Sequence, residues 1–381
     1  MPRPVLGILT LYLNEQKQLE ERNVYQNMIT EGNKLGLDIF VFTPMDVNAS
    51  KKNINAMEYD PTQRKWSRRV RDFPNMIFDR CRIQKGYRFK QLLTFRKNYG
   101  HHLFLNRPLR NKWIIHEVLS KKENFRIHLP ETKLVTRISD VEHMLKKRSV
   151  VYLKPINGTG GRGILRIERL KNPNHYYIQG RNQQRKIITP QKIHAARLGS
   201  ILQTWDMKDS YIAQEGIPVQ LPNGRVHDYR MLVQKNREGQ WELTGMVGRV
   251  GASRSITSNL HGGGQAITMD TLLTQWIKDR EIQEQVKKKS EILGLETAKY
   301  LEQTYGALCE LALDLAINKK GDVFLLEVNP KPAREVFARS GQKDIYRQSI
   351  IKPLEYALWL YRQKEVLIKA EVSEVHEEEL S

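Results

Sequence analysis

Lys154 closes the short apolar, β-prone run Val150-Val151-Tyr152-Leu153. A loop carrying Gly158, Gly160, Gly161 and Gly163 then leads into a second such run, Ile164-Leu165-Arg166-Ile167. Glycines take positive φ without strain and let bare backbone N–H groups approach an anion, while Lys154 and Arg162 add full positive charge beside them. The chemistry is that of a lid over phosphates. Two better-known phosphate motifs are excluded by the residues on the far side of the loop. The segment fits G-x-G-x-x-G, but that dinucleotide motif opens a helix, and here a strand-like run comes next. A P-loop closes on Gly-Lys-Ser/Thr, whereas Gly163 precedes Ile164. The bland alternative is a glycine-rich hairpin turn that binds nothing.

A second set lies near the C-terminus. Leu311, Leu313, Leu315 and Ile317 alternate with Ala312, Asp314 and Ala316, so Asp314 projects away from the leucines. A turn at Asn318-Lys319-Lys320-Gly321-Asp322 returns the chain to Glu327 and Asn329, which share a face two residues apart. A four-residue loop sets Asp314 opposite Glu327 and a two-residue loop sets it one step diagonal. Either register keeps all three on one side. Two carboxylates and an amide oxygen are hard ligands suited to Mg²⁺, and the spacing is not that of an EF-hand. Chance acids on a solvated hairpin are the alternative. Against it, Glu327 interrupts an apolar strand and a rigid Asn329-Pro330-Lys331-Pro332 exit succeeds it.

Positioning these groups takes sheets, and the patterning supplies them in order. Strand, helix, strand over Val5–Thr10, the segment to Gly36 and Leu37–Phe42 predicts a small parallel α/β domain. A basic, turn-rich segment precedes a strand at Asn75–Arg80, a helix spans Tyr87–Tyr99 and a short strand covers Phe104–Asn106. Helices are expected near Asn111–Leu119, Ser139–Lys147, Gln191–Thr204 and Met269–Thr304, with a closing helix at Ile350–Lys364. Strands are expected at Tyr211–Ile217, Tyr229–Gln234, Trp241–Val247, Leu311–Ile317 and Val323–Val328. The stretch His175–Gln184 stays unassigned, and the acidic segment from Glu371 is expected to be disordered. No internal repeat is present.

At 381 residues, two or three domains are expected. No run of about 18 apolar residues occurs, and the N-terminus lacks a signal-peptide core, which places the chain in the cytoplasm with no membrane partner. Cys81 and Cys309 are expected to be buried thiols. Lys plus Arg number 63 against 42 Asp plus Glu, a net charge of +21, which calls for an acidic partner. The basic runs are dispersed and no nucleic-acid motif occurs, so nucleic acid is disfavoured.

Lys154-Pro155 with its glycine loop, His227-Asp228-Tyr229-Arg230-Met231-Leu232-Val233, Asn259-Leu260-His261-Gly262-Gly263-Gly264 and Leu326-Glu327-Val328-Asn329-Pro330 together resemble the ATP-grasp superfamily. The match is to its YheC/YheD branch, described as endospore coat-associated in bacilli, over nearly the whole chain. The resemblance implies an N-terminal α/β domain (1–106), an α+β lid subdomain (107–210), a large α+β subdomain with the metal hairpin (211–366) and a tail (367–381). It implies ATP and Mg²⁺ as cofactors. Lys112 and Lys154 match the phosphate lysines, with Gly158, Gly160, Gly161 and Gly163 in the lid. Gln214, Glu215 and Ile217 match the segment that reads adenine and ribose. Asp228 and Arg230 face the cleft, Arg249 and Arg254 match arginines aimed at the transferred phosphate, and Asn259 lines the acceptor side. Asp314, Glu327 and Asn329 match the metal set. His261 has no paired acid nearby in sequence and is not assigned as a base. The implied reaction activates a carboxylate as its acyl-phosphate for attack by an amine, with the basic surface favouring an acidic peptide or polymer. The alternative implied by the branch is an ATP-binding structural protein of the spore coat, with coat proteins as partners. Where many relatives carry small residues after the last metal ligand, this chain has Pro330-Lys331-Pro332, so its acceptor pocket is expected to differ.

Overall fold

The computed structural model describes residues 3–378 except 83–85, 159, 173, 185, 261 and 262, with side chains to residue 366. Three sheets organise them. The first has parallel strands Val5–Leu9, Asp38–Phe42, Met76–Asp79 and Leu103–Phe104, extended by antiparallel strands at one edge. Its side chains alternate between two cores: Leu6, Ile8, Ile39 and Val41 face one way, and Leu9, Phe40 and Phe42 the other. Both faces are therefore covered, as a parallel sheet requires. Helix Arg22–Leu35 and the C-terminal helix Lys343–Glu378 cover one face, and helix Tyr87–Asn98 the other.

The second sheet is antiparallel, in the order Ile187–His194, His175–Arg181, Ile164–Arg169, Val150–Pro155, Tyr211–Glu215, Thr132–Leu134. Helix Ile138–Lys147 closes its apolar face. The third, also antiparallel, runs Gln265–Thr268, Trp241–Val250, His227–Lys235, Glu310–Ile317, Val323–Asn329. One face packs Tyr229, Met231, Leu311, Leu313 and Leu315 against helices that include Lys112–Ser120 and Arg280–Tyr305. Asp228, Arg230 and Asp314 therefore fall on the opposite face.

Several expectations are corrected. The basic segment Gln63–Arg71 is not merely turn-rich: strands Asn53–Asp60 and Lys65–Asp72 form a hairpin across it, with Trp66 against Tyr59. Gln191–Thr204 is helical only from Ala195, as a 3-10 turn Ala195–Arg197 leading into helix Leu198–Gln203, because Ile187–His194 is drawn into strand by pairing with His175–Arg181, itself left unassigned from sequence. The long helix at Met269–Thr304 breaks after Trp276 and restarts at Arg280, where the Asp279 side chain caps the new N-terminus. Tyr211–Glu215, expected to open the segment 211–366, pairs with Val150–Pro155 in the second sheet. Conversely, Ile115, Leu119 and Phe125, expected in the segment 107–210, pack in the core of the third sheet. The last helix continues to Glu378 into the acidic segment expected to be disordered, since no Gly or Pro interrupts it there; residues 379–381 lie outside the described residues. No helix among the described residues is long and apolar enough to cross a membrane.

The N-terminal domain is joined to the third sheet by buried charge. Arg80, Glu310 and Arg334 are fully buried. Glu310 accepts from both guanidiniums, and Arg80 also reaches Glu21 at 2.7 Å. Breaking such a set by removing one partner costs about 3–5 kcal/mol. Cys81 and Cys309 are buried free thiols.

Candidate functional site

A cavity of ≈ 1180 Å³ opens where the three sheets face one another. Strand register builds its floor. Arg230 lies directly opposite Asp314, and Asp314 directly opposite Glu327, so three adjacent strands present a row of charge. One strand further, Asp228 lies opposite Arg249. The hairpin reaches the direct Asp314–Glu327 register through a five-residue turn, 318–322, and a bulge beside Asp314, a combination sequence spacing does not reveal.

The arginines and acids lock together. Arg230 grips Asp314 with Nε and with Nη2 at 3.0 Å. Arg249 donates from Nε to Asp228 Oδ1 at 2.7 Å and from Nη2 to Asp314 Oδ2 at 3.0 Å. Burial alone raises the Asp314 pKa, but the two guanidiniums overcome it and hold the carboxyl well below the usual range. Burial opposes the Arg249 charge, and its two carboxylates more than restore it.

Lys154 ends strand Val150–Pro155 and reaches into the cavity, donating to Gln214 Oε1 at 2.6 Å. Burial pulls its pKa below the ordinary lysine value, with Glu327 opposing that and Lys112 adding to it. Lys112 is placed by a helix start. Asn111 Oδ1 caps the amide of Ile114 at 3.0 Å, and the Lys112 ammonium lies 3.5 Å from Glu327 Oε1 and donates to Gly158 O. Two amines and the acid hairpin thus share one crevice. Above them, Gly160, Gly161 and Gly163 take φ of 66°, 74° and 64°, the left-handed conformations glycine allows. A Cβ on Gly161 would stand 2.8 Å from Asn259 Nδ2, so the tip of the glycine loop from the second sheet approaches the Asn259 side chain closely.

Lys112, Lys154, Gly158, Gly160, Gly161, Gln214, Glu215, Ile217, Asp228, Arg230, Arg249, Asn259, Asp314, Glu327 and Asn329 all line this cavity. Gly163 does not: a Cβ there would meet Gln183 Nε2 at 2.5 Å and the Tyr211 hydroxyl at 2.8 Å, so it is a packing glycine. Arg254 also lies off the lining, in a turn at φ 59°. His261 falls outside the described residues. The Glu215 carboxylate already accepts from Arg148 at 2.9 Å. Sequence reading missed the far end of the cavity, including Phe89, Leu93, Arg96, Arg107 and Arg339; only the recurrence of Phe89, Leu93 and Arg96 along one helix face signalled it.

Among the described residues no trio of His, Cys, Asp or Glu is arranged as a metal site. Asp314, Glu327 and Asn329 still fit a hard cation such as Mg²⁺, which takes a few protein oxygens and completes its shell with phosphate and water.

The sequence profile of a family described as "YheC/D like ATP-grasp" matches residues 101–360. The chain belongs to the YheC/D-like ATP-grasp family. Two Bacillus subtilis (strain 168) proteins of the same kind are similar to it. "Endospore coat-associated protein YheC" is 27% identical over 368 residues, 94% of this chain and 99% of that protein. "Endospore coat-associated protein YheD" is 23% identical over 363 residues, 94% of this chain and 79% of that protein. Among solved structures, D-cycloserine synthetase DcsG superposes with a TM-score of 0.54 at 11% identity, covering 94% of this chain and 99% of that one. The D-alanine-D-alanine ligase from Coxiella burnetii gives 0.52 at 10% identity, covering 97% and 99%. These likenesses establish the ATP-grasp fold: an N-terminal α/β domain followed by two α+β subdomains.

Proposed function

We propose that this ATP-grasp protein is an Mg-ATP-dependent carboxylate–amine ligase working through an acyl-phosphate. The observation that carries the reading is the meeting of Lys112, Lys154 and the glycine lid with the Asp314–Glu327 hairpin in one cavity. In it, Lys112 and Lys154 hold phosphate oxygens, the lid supplies backbone N–H groups and keeps water out, and Glu215 and Ile217 flank the nucleoside. Asp314, Glu327 and Asn329 would hold the cation, which neutralises charge on the transferring phosphoryl group. Arg230 and Arg249, kept charged by Asp228 and Asp314, stabilise the phosphate leaving the acyl group, and Asn259 lines the acceptor side.

The carboxylate oxygen bonds to the γ-phosphorus as the bridge to the β-phosphate breaks and ADP departs with the electron pair. The amine nitrogen then bonds to the acyl carbon, phosphate leaves, and the amine's proton is released. Positioning and charge suffice for such a transfer, which accounts for a site built chiefly from lysines, arginines, backbone amides and acids. The net charge of +21 extends the proposal to an acidic peptide or polymer as substrate, met in the cytoplasm during sporulation. The test is ADP release from Mg-ATP with pools of acidic peptides and amines, adding hydroxylamine to trap the acyl-phosphate as a hydroxamate. ADP and hydroxamate appearing only with a carboxylate present is the expected result. Tight nucleotide binding without ADP release for any pool would transfer support to a second reading, an ATP-binding structural protein of the spore coat. That reading draws on the description of both relatives as endospore coat-associated.

A further inference from the structure

The cavity does not end at the metal hairpin. Beyond Asn329 it continues along Lys331, Val336 and Arg339 on one side. On the other it tracks Phe89, Leu93 and Arg96 of helix Tyr87–Asn98. That helix buries Leu92 and Phe95 in its own domain, and residues 89, 93 and 96 recur at helical spacing toward the cavity. Leu93 is 49% exposed, an apolar side chain on an open wall. At ≈ 1180 Å³ the space exceeds the roughly 300–1,000 Å³ typical of one small-ligand pocket, leaving room for a second substrate.

Its charge is one-sided. Among the described residues, eleven Lys and Arg side chains line the cavity against six Asp and Glu. Near the hairpin the charges are mutually satisfied. At the far end Lys331 and Arg96 share Asp79, whereas Arg107, among the described residues, is held by Gly100 O at 2.9 Å and the Phe104 ring at 5.1 Å. Arg107, Arg110 and Arg339 have no carboxylate within ion-pair distance among the described residues, and Arg110 and Arg339 are exposed. A closed pocket would suit a small metabolite. An open end with guanidiniums that lack a carboxylate partner, an exposed Leu93 and a half-buried Phe89 suits part of a longer chain.

We propose that this end of the cavity binds an acidic peptide that also carries apolar side chains. Its carboxylates pair with Arg107, Arg110 and Arg339, and an apolar side chain packs on Phe89 and Leu93. Lys331, fixed by Asp79, marks the boundary with the phosphate half. This names the substrate class for the ligase reading and rests on it.

Direct binding separates the two. Fluorescein-labelled Glu-Leu-Glu-Leu-Glu-Leu, Glu-only and Lys-Leu hexapeptides are titrated into the full-length protein by anisotropy, with a non-hydrolysable ATP analogue titrated separately by calorimetry. The Glu-Leu peptide is expected to bind at least tenfold tighter than either other, with affinity falling as salt rises. Leu93→Glu and Arg339→Glu should each weaken it about tenfold, leaving the analogue's affinity intact. Circular dichroism melts check that both variants fold. Equal affinity for all three peptides, or peptide binding indifferent to both substitutions, overturns the proposal while leaving nucleotide binding intact. Loss of analogue binding in the unmodified protein would instead remove the reading beneath it.

Discussion

Gly161 sits in the lid at φ 74°, and a Cβ placed on it would stand 2.8 Å from Asn259 Nδ2 and 3.8 Å from Thr257 Oγ1. Gly161→Ala therefore meets two obstacles. The amide end of Asn259 is the tip of a side chain and can shift, so the backbone term dominates, about 1–2 kcal/mol for a left-handed alanine. A lid free to open relaxes that strain by leaving the left-handed conformation, whereas a lid closed on nucleotide cannot. The cost then falls on nucleotide binding rather than folding, a loss of about 5–30-fold in affinity for a non-hydrolysable ATP analogue, read by calorimetry. Asn259→Ala in the same chain tests the partition. It removes the clash and leaves the φ term, so the double variant should bind as poorly as Gly161→Ala alone. Gly158→Ala is the contrast, since that residue has no left-handed φ and its Cβ would meet only Pro155 at 3.1 Å. An affinity unchanged in Gly161→Ala, together with a Tm lowered by about 1–2.5 °C, would refute the reasoning by placing the strain in folding.

Lys154→Met removes the ammonium that the proposed function sets against phosphate and should weaken the analogue about 10–150-fold, from about 1.5–3 kcal/mol for such a bond. Because burial lowers the Lys154 pKa, alkaline buffers should show proton uptake on nucleotide binding, visible as a dependence of the calorimetric enthalpy on buffer ionisation heat. Glu327→Gln keeps the shape of the metal hairpin but removes one carboxylate, so the Mg²⁺ concentration for half-maximal ADP release should rise by ~10–100-fold, and an unchanged Mg²⁺ requirement would exclude Glu327 as a ligand. His227 is 1% exposed, and burial pushes its pKa down to about 4. The unfolded chain protonates it below about pH 6.5, so stability is full above that value and falls as pH drops toward 4, by about 3 kcal/mol. Urea melts at pH 7 and pH 4.5 should show a smaller acid loss in His227→Phe than in the parent.

The sequence by itself determined the local chemistry: strand, glycine loop and strand around Lys154, and a hairpin with Asp314, Glu327 and Asn329 on the face opposite its leucines. Both arise from period-2 alternation and glycine's freedom at positive φ, which are properties of a few adjacent residues. Tertiary structure decided what depends on pairing between distant segments. Only register sets Arg230 opposite Asp314 and Arg249 opposite Asp228, and only pairing with Val150–Pro155 assigns Tyr211–Glu215 to the second sheet. The edge strand Ile187–His194 and the basic hairpin at Lys65–Asp72 owe their form to partners that local propensity does not encode. The arginine-lined end of the cavity is likewise assembled from the N-terminal domain, the connecting segment and the chain beyond the metal hairpin. A strand's neighbours are fixed by the free energy of packing the whole chain, and no window of adjacent residues contains that sum.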